Sequence, residues 1–340
     1  MKAPPAGVVL LLTTLLWGST FVVTKSLLAV APPLGYLALR FGIAALLYLP
    51  LVLWRGLRRT PHLGKDGLLL GGLNAVGILL QVCGQLYTTP AKSAFITSMN
   101  TPLTALCGLL LYRIVPTRAQ RVAIVLASVG LCLLTWPPAG AQLNPGDLLT
   151  IGCAATFAIF ITEAARRAAR HDALTLTVIQ VTVAATLFVG AAVLARALGS
   201  LPPAQQPLLV RLEAQPFPHG PVVLWQMAYM SIGCVVVVMA VQTWALQRLS
   251  AATAAVIYSL EPVVATALAL LVDGASAAPG PRGTAGAFFV LCGIYVAEGR
   301  DLRRLMRRSK PAPSSHDDEA GAGPPHPANE QPLPDDFGVQ

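Results

Sequence analysis

A chain of 340 residues that is 55% hydrophobic and only 11% charged cannot clothe itself in a water-facing surface, since an average soluble domain carries about 25% charged residues. Apolar runs of roughly 20 residues recur nearly end to end and the mean hydropathy is +0.65, which excludes one large soluble α/β domain, where buried elements are shorter and alternate with polar ones. The formal charge of +9 does not imply nucleic acid: the basic residues sit in short clusters between apolar runs, the distribution expected of loops facing anionic phospholipid.

In chain order, ten apolar runs are predicted, at 7–30, 34–54, 67–88, 91–112, 120–137, 146–166, 173–196, 222–246, 251–273 and 283–299. Each is long enough to cross about 30 Å of hydrocarbon, and helices satisfy their own backbone hydrogen bonds in lipid. The expected fold is an all-α integral membrane protein. The first run, within MKAPPAGVVLLLTTLLWGSTFVVTKSLLAV, follows a positively charged start. It is too long for the apolar region of a signal peptide and lacks a small-residue cleavage site, so it reads as a retained helix. Trp17 lies deep in it, as core packing or as a cavity wall, and Lys25 lies in its outer third.

The second run carries Arg40, also in its outer third. A Lys or Arg this near the rim can snorkel, so both charges have a structural account. Arg40 has a second one, as a fixed guanidinium offered to a substrate carboxylate at an outer vestibule. In the third run Gln81 and Gln85 are four residues apart and share a face with Tyr87 near its edge, a polar stripe in an apolar helix. Tyr87 and Trp54 also fit an interfacial aromatic belt.

The fourth run contains Asn100 two residues before Pro102, and the ninth contains Glu261 before Pro262. Each proline is expected to kink or interrupt its helix at membrane depth, which is tolerated where polar groups or water satisfy the freed carbonyls. Asn100 offers an amide either to a bound molecule or to a neighbouring helix. Glu261 lies about ten residues into its run, roughly 15 Å deep. A carboxylate there is costly unless protonated, paired or facing water, so it should point into a central cavity. It is either a protonatable or cation-pairing group for transport, or an anchor for a neighbouring helix. Gln180, Gln242, Trp244 and Tyr258 are further polar or aromatic candidates, with Gln242 and Tyr258 lining equivalent parts of the eighth and ninth runs. Gly18, Gly35, Gly42, Gly71, Gly72, Gly84, Gly152 and Gly233 read as close helix contacts or bends.

The six cysteines lie in or at the rims of apolar runs with no zinc or redox spacing, and the five histidines fall in connecting segments or the tail. No metal or cofactor is expected. An intramembrane hydrolase would need a nucleophile with a base, or several metal ligands, whereas the runs hold no His and one central acid, so no enzyme is expected. The connection 198–221 is Pro-rich and is the large outer loop. From about 311 to 340 the chain turns to Pro, Gly, Ser, Asp and Glu, the composition of a disordered cytoplasmic tail.

With the first residue inside, the segments on the inner side hold Lys2, Arg55, Arg58, Arg59, Lys65, Arg113, Arg118, Arg121, Arg166, Arg167, Arg170, Arg248, Arg300, Arg303, Arg304, Arg307, Arg308 and Lys310, which is 18 of 24 basic residues. The outer loops hold Lys92, Arg196, Arg211 and Arg282. That imbalance predicts both termini in the cytoplasm. The chain also repeats weakly. At an offset of 160, Pro102 falls on Pro262, Ser93-Ala94 on Thr253-Ala254 and Leu86 on Leu246; at 138, Thr24-Lys25 falls on Thr162-Glu163. Two copies, 7–137 and 146–299, each take five helices. An odd number enters the membrane from opposite sides, so the halves are expected to be inverted about a twofold axis in the membrane plane.

The stretches LLWGSTFVVTKSLL, LRFGIAALL, LYTTPAKSAFITSMNTP, NPGDLLTIGCAATFAIFI and QTWALQRLSAATAAVIYSLEPV, in that order and spacing, resemble the EamA-type branch of the drug/metabolite transporter superfamily over roughly residues 7 to 300. The resemblance implies a ten-helix secondary transporter of the cytoplasmic membrane that exports amino acids, related metabolites or toxic compounds. Two departures stand out: Val272-Asp273-Gly274 where many relatives carry Gly-Glu, which leaves Asp273 as a boundary residue, and Asn-Thr-Pro where a small or aliphatic residue before the proline is more usual. The expected function is alternating-access export of a small zwitterionic or amphipathic molecule, with membrane lipid and protons as partners. Proton coupling, uncoupled facilitation and multidrug efflux stay open.

Overall fold

A computed structural model describes residues 5–135, 144–200, 202, 206–273 and 280–308. Its helices are α1 (Ala6–Leu28), α2 (Pro33–Arg55), α3 (Leu63–Gln85), α4 (Pro90–Ser98), α5 (Asn100–Tyr112), α6 (Arg118–Thr135), α7 (Pro145–Arg167), α8 (Ala173–Leu198), α9 (Leu208–Glu213), α10 (Pro221–Ala228), α11 (Val238–Leu246), α12 (Ala251–Tyr258), α13 (Glu261–Asp273) and α14 (Gly280–Arg308). A 3-10 turn, Ala168–Arg170, follows α7, and a π-wound stretch, Tyr229–Val237, joins α10 to α11. Residues Met1–Leu302 make one unit and Arg303–Gln340 another, of which the described residues are the end of α14. The expected tail at 311–340 lies outside the described residues.

Helix starts follow local chemistry. α2, α4, α7 and α10 begin on a proline, whose missing N–H is one the first turn leaves unbonded anyway. Asn144 and Asp147 cap α7 reciprocally, and Thr89, Asp172 and Ser250 each accept a backbone N–H at the starts of α4, α8 and α12.

Burial differs from that of a soluble protein in what faces outward and in the amides held inside. Asn74, Gln85, Asn100, Thr101, Gln180 and Gln242 are inside, while Leu46, Leu53, Leu110, Val193 and Trp225 face outward. Lipid accommodates the exposed leucines, and the interior has to satisfy the amides. Trp54, at 85% exposure, stands outside the bundle near the end of α2. Among the described residues, eight helical segments are long and apolar enough to cross a membrane. The fifth and tenth expected runs form α6 and α14, which are not among the eight, and the apolar part of α6 begins only after Arg121.

The packing has an internal correspondence. α1 lies against α11, α12 and α13, as α7 lies against α3, α4 and α5; α2 and α8 pack on each other, α8 on α3 and α2 on the π-wound stretch. α3 and α7 approach backbone to backbone: a Cβ on Gly84 would lie 2.9 Å from the Gly146 carbonyl oxygen, and one on Gly146 would lie 2.5 Å from that of Gly84. α6 and α14 meet likewise, a Cβ on Gly130 falling 2.6 Å from the Gly286 oxygen. Of the glycines expected at contacts, Gly42 and Gly72 face open space, so they do not serve that role.

Each proline interrupts its helix at one tight turn, with the backbone still right-handed through it. α4 ends at Ser98 and α5 starts at Asn100; α12 ends at Tyr258 and α13 starts at Glu261. The breaks close with tight bonds, Met99 N–H to Ile96 O (3.1 Å) and Leu260 N–H to Ile257 O (3.1 Å), and the Ser98 and Ser259 hydroxyls donate to the Ala94 and Val256 carbonyls. The two broken helices touch, Thr101 Oγ1 donating to the Ala255 carbonyl at 2.8 Å.

Candidate functional site

The breaks bring two polar residues to the same place. Asn100 and Glu261 each occupy the first position of a helix, where unbonded N–H groups favour acceptors and negative charge, and they are 3% and 6% exposed. Both line one cavity with Arg40 from α2, Gln81 from α3, Gln242 from α11, and Trp17 and Tyr258. Phe21, Phe157, Phe160, Ile78 and Ile161 complete its apolar walls, and Thr20 and Thr97 add hydroxyls.

Arg40 is the buried cation of this site. It is 5% exposed, so it does not snorkel, which corrects one of its two expected accounts. Its Nη1 donates to the Tyr36 hydroxyl at 3.2 Å, that hydroxyl also sits 3.1 Å from Thr24 Oγ1, and its Cζ lies 5.6 Å from the Phe41 ring centre. Its Nε has no partner. Gln81 Nε2 donates to Thr97 Oγ1 at 3.4 Å. The Tyr258 ring packs on Trp17 at 5.4 Å between centres; its hydroxyl neighbours the Gln242 amide without a hydrogen bond of good geometry. Among the described residues no cation lies within ion-pair distance of the Glu261 carboxylate.

Five expected residues fall elsewhere or act otherwise. Lys25 Nζ donates to the Gln85 carbonyl at 2.6 Å, closing the C-terminus of α3, where carbonyls have lost their helical donors. Gln85 is buried outside the cavity with its Oε1 unpartnered. Tyr87 is 45% exposed beyond the end of α3. The expected stripe of Gln81, Gln85 and Tyr87 is thus divided: α3 stops at Gln85 and a turn through Leu86 and Tyr87 takes the ring off the face. Gln180 is likewise buried away from the cavity, and Trp244 carries the Arg248 guanidinium 4.4 Å above its ring. Pro102 and Pro262 set the helix starts and do not line the cavity.

Sequence reasoning missed Phe157, Phe160 and Thr97 as lining residues, since a Phe or Thr in an apolar run carries no signal of its own. It also missed two charged closures. Lys92 pairs with Asp147 at 2.7 Å, joining α4 to α7 near Asn144, whose Nδ2 donates to the Tyr87 carbonyl. At the other end of α7, Arg167 pairs with Asp66 at 2.7 Å and Glu163 at 2.5 Å. Asp66 is found by looking at the first turn of α3, where an acid complements the helix dipole; no local pattern marks its partners.

One guanidinium, one carboxyl group and several amides within aromatic walls can hold a small molecule with polar ends and an apolar part. The sequence pattern of the EamA-like transporter family is matched twice, by residues 5–136 and 144–298. An uncharacterized transporter of Archaeoglobus fulgidus is 33% identical over 148 residues, covering 44% of this chain and 45% of its own, so the match spans less than half of that relative. A protein of known crystal structure superposes at a TM-score of 0.67 over 88% of this chain and 98% of its own, at 20% identity, a likeness of fold alone.

Proposed function

Because the chain belongs to the EamA-like transporter family, within the drug/metabolite transporter superfamily, we propose that it exports small zwitterionic or amphipathic molecules, amino acids or related metabolites, by alternating access around the central cavity. In this reading ten helices cross the cytoplasmic membrane, five per half, in inverted halves 7–137 and 146–299, with both termini and the tail 311–340 in the cytoplasm.

Several observations support the inversion. The link near Thr88 packs beside Asn144 at the start of α7, and the link near Arg248 packs beside Ala168 and His171 just past its end, through Gln247. α7 has 23 residues and separates the two links by about 35 Å. The pairing of α6 with α14 joins the last helix of each half, as the twofold relation requires.

The observation that carries the function is the meeting of Asn100 and Glu261, each heading the second half of a broken helix, in one cavity with Arg40. Such breaks at corresponding points of two repeats are where secondary transporters hold cargo and coupling ions. Arg40 and the amides take a carboxylate. Glu261, which no side-chain cation among the described residues neutralises, takes either the ammonium of the cargo or a proton, and that exchange couples cargo to the pH gradient.

Flux of amino acids and related metabolites into proteoliposomes, with and without an imposed pH gradient, tests this. Gradient-stimulated flux is expected from the wild-type protein, with Glu261→Gln losing the stimulation and at least about tenfold of the rate. Flux that ignores the gradient and survives Glu261→Gln would identify an uncoupled facilitator. No flux of any such molecule would sink the cargo assignment.

A further inference from the structure

Where α7 gives way to α8, titratable side chains from separate elements are buried together, away from the cavity. Arg167 donates through Nη1 to Asp66 Oδ1 (2.7 Å) and through Nε to Glu163 Oε2 (2.5 Å). The other Glu163 oxygen accepts from the Tyr112 hydroxyl, and the Arg166 guanidinium lies 3.5 Å over the Tyr112 ring. The other Asp66 oxygen lies 2.9 Å from His171 Nε2, while His171 Nδ1 lies 2.5 Å from Thr60 Oγ1. Asp66, Glu163 and His171 are all buried, and Gln247 at the end of α11 donates to the His171 carbonyl at 3.0 Å.

The protons in this network can be counted. An ionised Asp66 accepts from Arg167 and, at its second oxygen, from His171, so Nε2 carries hydrogen. Nδ1 faces a hydroxyl, which donates to a bare nitrogen or accepts from a protonated one. A second proton taken from water can therefore sit on Nδ1, the Thr60 hydroxyl rotating from donor to acceptor and turning its own hydrogen to solvent. The other charges around His171 do not compete for that proton. Arg167 and Arg170 are cations, and Glu163 is engaged at both oxygens. Burial pushes the Asp172 carboxyl up, but the Thr175 N–H and hydroxyl and the Arg55 and Arg58 guanidinium groups outweigh it and hold it below its usual range.

The added charge has a direction. With a neutral imidazole, Arg167 is shared between two carboxylates. An imidazolium gives Asp66 a cation of its own and repels the guanidinium, which can then fork onto both oxygens of Glu163. One of those oxygens is the one Tyr112 uses, so a charged donor comes to share it and weakens the neutral hydroxyl's hold. Tyr112 is the last residue of α5, the second half of a broken helix, and its hydroxyl bond to Glu163 joins that end to α7.

We propose that His171 with Asp66 is a proton-binding site that sets a latch: the neutral network fastens the end of α5 to α7 through Tyr112 and Glu163, and a proton on His171 releases it. As a gating step in transport the latch rests on the alternating-access reading; as a proton-linked release of α5 it does not.

Hydrogen–deuterium exchange of the full-length protein in lipid nanodiscs, at about pH 8 and about pH 5.5 and corrected for intrinsic rates, reads the latch without any cargo. Protection of amides in the last turn of α5 should fall at least about threefold at the lower pH in the wild type. Tyr112→Phe should show the released value at both pH values. His171→Gln, whose amide can still donate to Asp66 but cannot titrate, should show the fastened value at both. Equal wild-type protection at the two pH values, a pH response retained in His171→Gln, or wild-type protection in Tyr112→Phe at the higher pH would each overturn the proposal. Should His171→Gln fail to fold, the wild-type response and Tyr112→Phe decide it. Loss of flux with the latch response intact would instead count against the transport reading.

Discussion

Arg40 is buried with a single side-chain hydrogen bond and an idle Nε, an arrangement that costs folding free energy and is retained where a ligand completes it. Methionine matches its length without its charge. Arg40→Met should therefore raise the stability of the empty protein by about 1–3 kcal/mol, because Tyr36 keeps Thr24 as a partner. It should also abolish cargo-induced stabilisation. Thermal unfolding with and without candidate cargo checks both, and a variant that is less stable yet still answers to cargo would remove Arg40 from the site. At this scale the sequence was informative wherever a polar or aromatic group interrupts an apolar run: Trp17, Arg40, Gln81, Asn100, Gln242, Tyr258 and Glu261 all line the cavity. Tyr87 was misplaced because helical spacing predicts a shared face only as far as the helix lasts, and α3 ends at Gln85; Lys25 is drawn instead to the Gln85 carbonyl, a partner no spacing announces.

At the scale of elements, α9 shows what a Pro-rich loop can conceal. This six-residue helix delivers Glu213 to the start of α2, where Oε2 accepts the Leu34 N–H at 3.0 Å, a cap supplied from far along the chain. Pro32 stands at the cap position of α2 and cannot act this way. Burial pushes the Glu213 carboxyl above its ordinary range, against the opposing pull of the Leu34 and Gly35 N–H groups and of Arg196. A raised value in the folded state means that docking is fully present below the unfolded carboxyl's value, about 4.3, and weakens as pH climbs through the folded one. A fluorine NMR probe attached at exposed position 208 should show the undocked population of α9 growing from acid to neutral pH, and Glu213→Gln should make it constant. Growth in the opposite direction would refute the assignment. The helix breaks, in contrast, were legible to within three residues, since Pro102 and Pro262 announce them. Their positions, at Met99 and Ser259–Leu260, follow from each ring occupying the first turn of the new helix, where it is tolerated.

For the whole molecule, the twofold correspondence of the packing makes a sidedness prediction. Single cysteines placed at Thr88 and at Arg248 should react with a membrane-impermeant reagent from opposite faces of the cell membrane, Thr88 from outside. Labelling of both from one face would end the inverted-repeat reading. The repeat was faintly visible in the sequence as paired prolines and charge asymmetry. Of the network of Asp66, Glu163, Arg167 and His171, only the i, i+4 pair Glu163–Arg167 has a local pattern; Asp66 and His171 stand 105 residues apart and meet only when α3 and α7 are laid side by side.

The π-wound stretch Tyr229–Val237 bears on the same cavity from a distance. Each residue advances an α-helix by about 100°, and a π turn holds an extra residue, so the angular phase of everything beyond it depends on how that stretch is coiled. Ser19 meets Tyr229 at its start (2.6 Å), and Gln242 reaches the cavity beyond its end. Rewinding one turn would keep the first contact and swing Gln242 round to another azimuth, so the winding of this stretch sets whether that amide faces the cavity.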